Sequence, residues 1–217
     1  MGKSYFKDLI AHLLSSRTAR LKLSLFGGSL LNLLYLAGNA ASALLYNSVW
    51  SATVTVYHLM LIIIRVYLLS EGKIDRAGQS INRICLRVGI LLLFLDITSA
   101  YMMIYTIERG SFVRYSGIFF FGFLVYTLYS VINSVYSMKK HANDKKRIHF
   151  VAKSIRLSTS LMSIFNLQYS FFAFLGASGE PVERAILIGG ALVFTIILSI
   201  SVMLLRRGLS GLFSSKI

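Results

Sequence analysis

The sequence predicts an all-α membrane protein: six transmembrane helices that form three hairpins, with both termini in the cytosol. Composition is the first observation behind this fold class, because 56% of the 217 residues are hydrophobic and the chain has a single proline. The second is that the apolar runs approach ~20 residues, the length at which a helix crosses a hydrocarbon core of ~30 Å. The third is that charged residues cluster between these runs, whereas a soluble domain would mix charge into them.

Residues 1–20 are predicted to form an amphipathic helix that lies in the inner headgroup layer. Phe6, Leu9 and Leu13 share one face of such a helix, and Lys3 and Lys7 lie off that face. Residues 21–217 are then expected to form the transmembrane domain. Its six spans are predicted at about residues 23–46, 49–69, 86–107, 115–138, 151–175 and 185–205.

The distribution of basic residues predicts the orientation. Of the 23 Lys and Arg residues, all but Arg109, Arg114 and Arg184 flank one side of the predicted spans. Because cytosolic loops are enriched in Lys and Arg, this side and both termini are predicted to be cytosolic. The net charge of +15 therefore follows the membrane flanks, so it indicates contact with anionic lipid and does not indicate nucleic acid.

Three hairpins are predicted because basic segments precede each odd-numbered span and follow each even-numbered one. The second and fourth spans also share a spacing, since Tyr57 and Tyr67 recur as Tyr126 and Tyr136. A true triplication and a chance likeness of apolar helices both stay open. The uncharged link between the first two spans carries Trp50, which is expected in an aromatic belt at the outer interface.

Asp96 is the only acidic residue expected deep inside a span, ~13 Å beyond Arg87 at a rise of ~1.5 Å per residue. A charge at this depth is costly, so an intramembrane carboxylate is a functional hypothesis by default. The functional interpretation is a proton or cation site in a polar interior, and the structural alternative is a hydrogen-bonded link between helices. Arg65 is expected at a similar depth in the second span, within reach of Asp96. Alternatively, the Arg65 side chain extends to the inner headgroups and does not pair with Asp96.

Other polar residues inside the spans are uncharged. His58 lies near the middle of the second span, where it could relay a proton or bond to a neighbouring helix. No second His or Cys lies inside a span to complete a metal site, so no metal or cofactor is predicted. The amide residues of the odd-numbered spans could line a solute path or join one helix to another, and they are Asn32, Asn39, Asn166 and Gln168.

Three stretches inside the spans carry a family likeness. They read Val56-Tyr57-His58-Leu59-Met60 with Arg65-Val66-Tyr67-Leu68-Leu69, then Tyr126-Thr127-Leu128-Tyr129, and Asn166-Leu167-Gln168-Tyr169. These stretches resemble a set of six-span membrane proteins of about this length from Gram-positive bacteria, whose members often have Tyr-Tyr in place of Tyr57-His58. The resemblance implies a bacterial cytoplasmic membrane and implies no particular substrate.

The sequence leaves two functions open. The first is a small transporter or channel for an ion or small solute, coupled to protons or cations through Asp96. The alternative is a non-transporting scaffold, a subunit of a homo-oligomer or membrane complex, or a lipid-interacting protein. An enzyme is not predicted: Gly176-Ala177-Ser178-Gly179 matches the Gly-x-Ser-Gly of rhomboid proteases, but no histidine follows His149 to act as the base.

Overall fold

A computed structural model describes residues 17–71, 79–109, 117–140 and 147–213, with side chains over 32–68, 81–109, 117–136 and 150–210. These residues form six helices and no β-strand, so the all-α prediction is confirmed for this part of the chain. The helices are α1 Arg17–Tyr46, α2 Val49–Glu71, α3 Gln79–Glu108, α4 Gly117–Lys140, α5 Arg147–Leu175 and α6 Glu180–Phe213.

Within the part of the chain that the structure describes, four helices are long and apolar enough to cross a membrane. Their candidate spans are Val49–Leu68, Ile81–Glu108, Gly117–Tyr136 and Glu180–Ser210. This agrees with the predicted membrane class, whereas six spans and the orientation stay predictions. α5 is not among these four; it is more polar, since it contains several serines, and those such as Ser158 and Ser163 are fully buried. Most of the predicted amphipathic segment, residues 1–16, lies outside the described residues, and α1 begins at Arg17.

Two links between helices have clear sequence causes. Ser48 precedes α2, and its Oγ accepts a hydrogen bond from the Ser51 backbone N–H at 3.3 Å, which caps the helix. Between α5 and α6, Gly176 and Gly179 adopt φ angles of 64° and 100°, a region that L side chains rarely adopt. The Gly-x-Ser-Gly sequence therefore ends one helix and begins the next, and its glycines have a conformational role.

α1, α2, α4 and α5 surround a common interior, and we call them the four-helix bundle. In this bundle α1 packs on α2, α2 on α5, α5 on α4, and α4 on α1. α3 and α6 form a closely packed pair outside it, where α3 contacts α2 and α5 and α6 contacts α5. The helices are thus four around a polar interior and two beside it.

The predicted three-hairpin arrangement is not confirmed, because the described parts of α3 and α4 have no Cα atoms within 8 Å of each other. α3 packs on α6 instead, through small residues that permit close approach. A Cβ atom added at Gly208 would lie 2.8 Å from the Leu86 backbone nitrogen. α4 pairs with α5 through hydroxyls, as where Ser160 Oγ donates to the Ser130 carbonyl oxygen at 3.0 Å.

Candidate functional site

A polar column runs through the interior of the four-helix bundle. Asn32 and Asn39 are seven residues apart, about two turns at ~3.6 residues per turn, so they share one face of α1. Tyr35 lies between them on the same face. All three side chains are buried, with 2%, 0% and 4% of their surfaces exposed for Asn32, Asn39 and Tyr35. The spacing in α1 therefore directs three polar side chains into the bundle.

A closed hydrogen-bond network occupies one end of the column. Asn166 of α5 is its centre: Oδ1 accepts from Trp50 Nε1 at 2.9 Å, and Nδ2 donates to Tyr35 Oη at 2.6 Å. The same Nδ2 also lies 3.3 Å from Asn39 Oδ1. We call these four residues the Asn166 network. Trp50 is 1% exposed, so the expectation that it lies in an interfacial belt is wrong: its indole N–H is held by a buried amide.

Aromatic rings fill the middle of the column. Tyr35 and Tyr126 are stacked, with ring centroids 3.9 Å apart, and the His58 ring lies 4.6 Å from Tyr35. His58 Nδ1 lies 2.9 Å from the Val54 carbonyl oxygen, which can only accept, so Nδ1 carries the proton. Nε2 of His58 is buried without a partner. These rings separate the Asn166 network from the other end of the column.

A polar cleft lies at that other end. Its volume is about 20 Å³, enough for one or two water molecules, and residues from all four helices of the bundle form its walls. They are Asn32, Arg65, Tyr126, Tyr129, Ser130, Asn133, Ser134 and Arg156. At ~1.5 Å per residue, Arg65 lies ~9 Å before the end of α2 and Arg156 ~13 Å after the start of α5. The cleft is therefore closer to this end of the bundle than to the other.

Among the residues whose side chains the structure describes, the walls of the cleft carry two guanidinium groups and no carboxylate. Arg65 Nη2 donates to Thr159 Oγ1 at 3.0 Å, and Thr159 Oγ1 donates to the Ile155 carbonyl oxygen at 2.7 Å. Nε of Arg65 has no partner. Tyr126 Oη donates to Asn32 Oδ1, which leaves Asn32 Nδ2 without a partner. The cleft is thus electropositive and holds unpaired donors.

Asp96 lies on α3, and it is not among the residues that form the cleft. Its Oδ1 is buried without a hydrogen-bond partner, and Arg65 bonds to Thr159, so the pair that the sequence allowed does not form. Oη of Tyr57 is also buried and unpaired, within electrostatic reach of the Asp96 carboxylate. Asp96 of α3 and Tyr57 of α2 are thus buried, unpaired polar residues that lie outside the walls of the cleft.

Gln168 joins neither the cleft nor the column. Its Nε2 donates to the Ala185 carbonyl oxygen at 2.8 Å, which links α5 to α6. A Cβ atom at Gly189 would lie 2.1 Å from Gln168 Oε1, so the amide fills the space that glycine leaves. In the structure Gln168 therefore joins one helix to another, which is the structural alternative to lining a solute path.

Sequence reasoning missed several residues of the cleft. It counted Arg156 among the basic flanks of the fifth span, although this arginine lies nine residues beyond Arg147, where α5 begins. Two arginines at similar depth in different helices were the available signal. Ser134 and Thr159 carried none, since hydroxyls are common in membrane helices and bond to their own backbone.

No protein-family model, curated protein or solved structure matches this chain. Among the described residues, no three His, Cys, Asp or Glu side chains are grouped so that they could hold a metal ion. The geometry of the column and the cleft is therefore the basis for a functional proposal.

Proposed function

We propose that this protein is a small multi-pass transporter or channel that moves a solute through the four-helix bundle in a bacterial cytoplasmic membrane. The polar column is the observation that carries the proposal, because it leads from the Asn166 network past His58 to the cleft at Arg65. Polar and ionisable side chains inside membrane helices are costly and mark substrate or ion paths.

In this proposal all six helices cross the bilayer and the cleft faces the cytosol. Arg65 lies six residues before Glu71, where α2 ends, and the loops rich in Lys and Arg follow the helices at that same end. A solute would enter at the cleft and meet the stacked rings of Tyr35 and Tyr126. Separation of these rings would open the column toward the Asn166 network.

We also propose that Asp96 takes part in proton or cation coupling, although its side chain lies beside the path and does not line it. Its carboxylate is within electrostatic reach of Tyr57, whose ring centroid lies 5.8 Å from that of His58 in the column. A change of charge on Asp96 would be felt by His58 through Tyr57. This route differs from the direct lining of the path that the sequence suggested.

Flux measurements test the proposal directly. The purified full chain in liposomes would be assayed for passage of protons, cations, anions and small neutral solutes. In the same liposomes, cysteines at Ser130 and Asn133, in a Cys85→Ala background, would be labelled with membrane-impermeant thiol reagents. We expect flux of at least one species, blocked by labelling at the cleft. Absence of flux for every species in folded protein would overturn the transport function.

A second candidate, a lipid-interacting protein, is favoured by one observation. Tyr129 belongs to the cleft and is 46% exposed, and Ile132 on the same helix is 68% exposed. An opening between such residues would face lipid and would admit a headgroup sideways. Under this alternative the protein binds lipid in the cleft and conducts nothing.

A further inference from the structure

We infer that the cleft of the four-helix bundle binds an oxyanion, a group with several negatively charged oxygen atoms, between Arg65 and Arg156. This inference rests on the proposed function for the passage of the ligand across the membrane. It names the chemistry of the ligand, which the column alone does not specify. The ligand is a phosphate, sulfate or carboxylate group, either in a free solute or in a lipid headgroup.

The positive charge of the cleft is the first argument for an anionic ligand. Arg65 is 4% exposed, and Arg156 lines the same cleft, whose described wall residues include no Asp or Glu. A guanidinium group keeps its charge in proteins, so it must be compensated when it is removed from water. Asp96, a buried acidic residue of α3, does not line the cleft. An anion in the cleft would supply the missing negative charge.

The unpaired polar atoms are the second argument, because they indicate a ligand with several hydrogen-bond acceptors. Three buried side-chain atoms, each from a residue that lines the cleft, have no hydrogen-bond partner: Asn32 Nδ2, Arg65 Nε and Ser134 Oγ. They come from α1, α2 and α4, so they surround the cleft from three helices. The amide and guanidinium nitrogens can only donate, and the serine hydroxyl can donate as well. A ligand that satisfies them must therefore present several acceptor atoms.

The arrangement of Arg65 favours an oxyanion over other acceptors. Thr159 holds Nη2 of Arg65 by a hydrogen bond of 3.0 Å, which fixes the plane of the guanidinium group. Nε remains available, and a planar guanidinium binds the paired oxygens of carboxylates and phosphates. A metal cation would be repelled by two arginines, and a neutral solute would leave the charge of Arg65 uncompensated. The volume, about 20 Å³, has room for the oxygen atoms of one small anionic group beside the arginines, and the rest of the ligand would lie outside the cleft.

Binding assays on the full chain separate the sources of the oxyanion. The protein would be placed in nanodiscs of phosphatidylcholine alone, and inorganic phosphate, sulfate and citrate titrated by calorimetry. Parallel nanodiscs would contain phosphatidylglycerol, with bound lipid measured by native mass spectrometry. Binding of a free anion in phosphatidylcholine identifies a solute site. Retention of phosphatidylglycerol without binding of a free anion identifies a headgroup site, and both results support the inference.

Variants connect the binding to the cleft. We expect Arg65→Gln and Arg156→Gln each to weaken binding roughly tenfold or more, the effect of losing one charge-assisted hydrogen bond. Ser134→Ala should weaken it less, because it removes a neutral donor. Arg206→Gln, at an exposed arginine of α6, is the matched control and should leave binding unchanged. If Arg65→Gln does not fold, Arg156→Gln and Ser134→Ala still decide the result.

The binding assay tests the oxyanion site and the flux assay tests transport, so either hypothesis can be contradicted without the other. Oxyanion binding without any flux would overturn the transport function and leave the cleft site intact. Flux of a cation or neutral solute, with no anion or anionic lipid bound, would overturn the inference and leave transport intact. Binding that the cleft variants and Arg206→Gln affect equally would also overturn the inference, because it would indicate a general attraction to a basic protein.

Discussion

Tyr35 of α1 and Tyr126 of α4 stack with their ring planes 19° apart and their centroids at 3.9 Å. Each hydroxyl reaches a different part of the column. Tyr35 Oη accepts from Asn166 Nδ2, whereas Tyr126 Oη donates to Asn32 at the cleft. The stack therefore both connects and separates the two polar regions, and in the proposed transport function a solute in the cleft could pass only when the rings separate.

Removal of one ring should open the column. We expect Tyr126→Ala to raise solute leakage through liposomes severalfold, because no side chain is left to stack on Tyr35. Tyr126→Phe keeps the ring and should leak no more than the unmodified chain, although it loses the bond to Asn32. Tyr101→Ala is the control, since Tyr101 is 66% exposed on α3. Equal leakage for Tyr126→Ala and Tyr101→Ala would contradict a closing role for the stack.

The sequence predicts the helices well and their partners poorly. Long apolar runs predict where α2, α3, α4 and α6 lie, because length and hydropathy are local properties. The pairing of α3 with α6 depends on close contact at Gly208, and α4 pairs with α5 at Ser130 and Ser160. Such contacts join residues far apart in the chain. Small residues and hydroxyls also occur at many other positions, so they do not identify a partner helix.

The candidate site shows the same division. The seven-residue spacing of Asn32 and Asn39 predicts a shared face on α1, and both side chains are buried in the bundle. Trp50 was expected at an interface from the general preference of tryptophan. Its partner Asn166 is 116 residues away in the chain, and no local sequence pattern predicts the hydrogen bond between them. Asp96 was predicted to be functional because a charged side chain deep in the membrane is energetically costly. That cost does not specify which neighbouring helix the side chain faces.

The Asn166 network should contribute measurably to stability. Asn166→Ala leaves the buried Trp50 indole N–H unpaired and removes the bond to Tyr35. We expect a loss of about 1–3 kcal/mol in the free energy of unfolding. Asn133→Ala, at a half-buried amide of the cleft, is the control and should change stability by less than ~0.5 kcal/mol. Thermal and denaturant unfolding in detergent would measure both, and equal effects would contradict a structural role for the network.

The contact between α3 and α6 should be sensitive to one methyl group. A Cβ atom at Gly208 would meet the Leu86 backbone nitrogen at 2.8 Å and the Asn82 carbonyl oxygen at 3.0 Å, and neither backbone atom can move alone. We expect Gly208→Ala to destabilise the protein by about 1–3 kcal/mol. Gly122→Ala in α4 meets nothing within 4 Å and should be neutral or stabilise by up to ~1 kcal/mol. The same sign for both variants would contradict this packing.

Asp96 should lower stability in the native chain. Its Oδ1 is buried with no hydrogen-bond partner, and Asp96 itself is 4% exposed. A neutral side chain of similar shape is less costly to bury, so we expect Asp96→Asn to raise the free energy of unfolding by about 1–3 kcal/mol. Glu108→Gln, at an exposed acid near the end of the same helix, should have no effect.

The combined outcome of stability and flux assigns a role to Asp96. A stabilised Asp96→Asn variant that also loses proton- or cation-coupled flux would mean that the carboxylate is retained for coupling at a cost in stability. Unchanged flux in a stabilised variant would remove Asp96 from the mechanism. A loss of stability of about 3–5 kcal/mol, the effect expected when a buried ion pair is broken, would show that the carboxylate has a partner and would contradict its unpaired state.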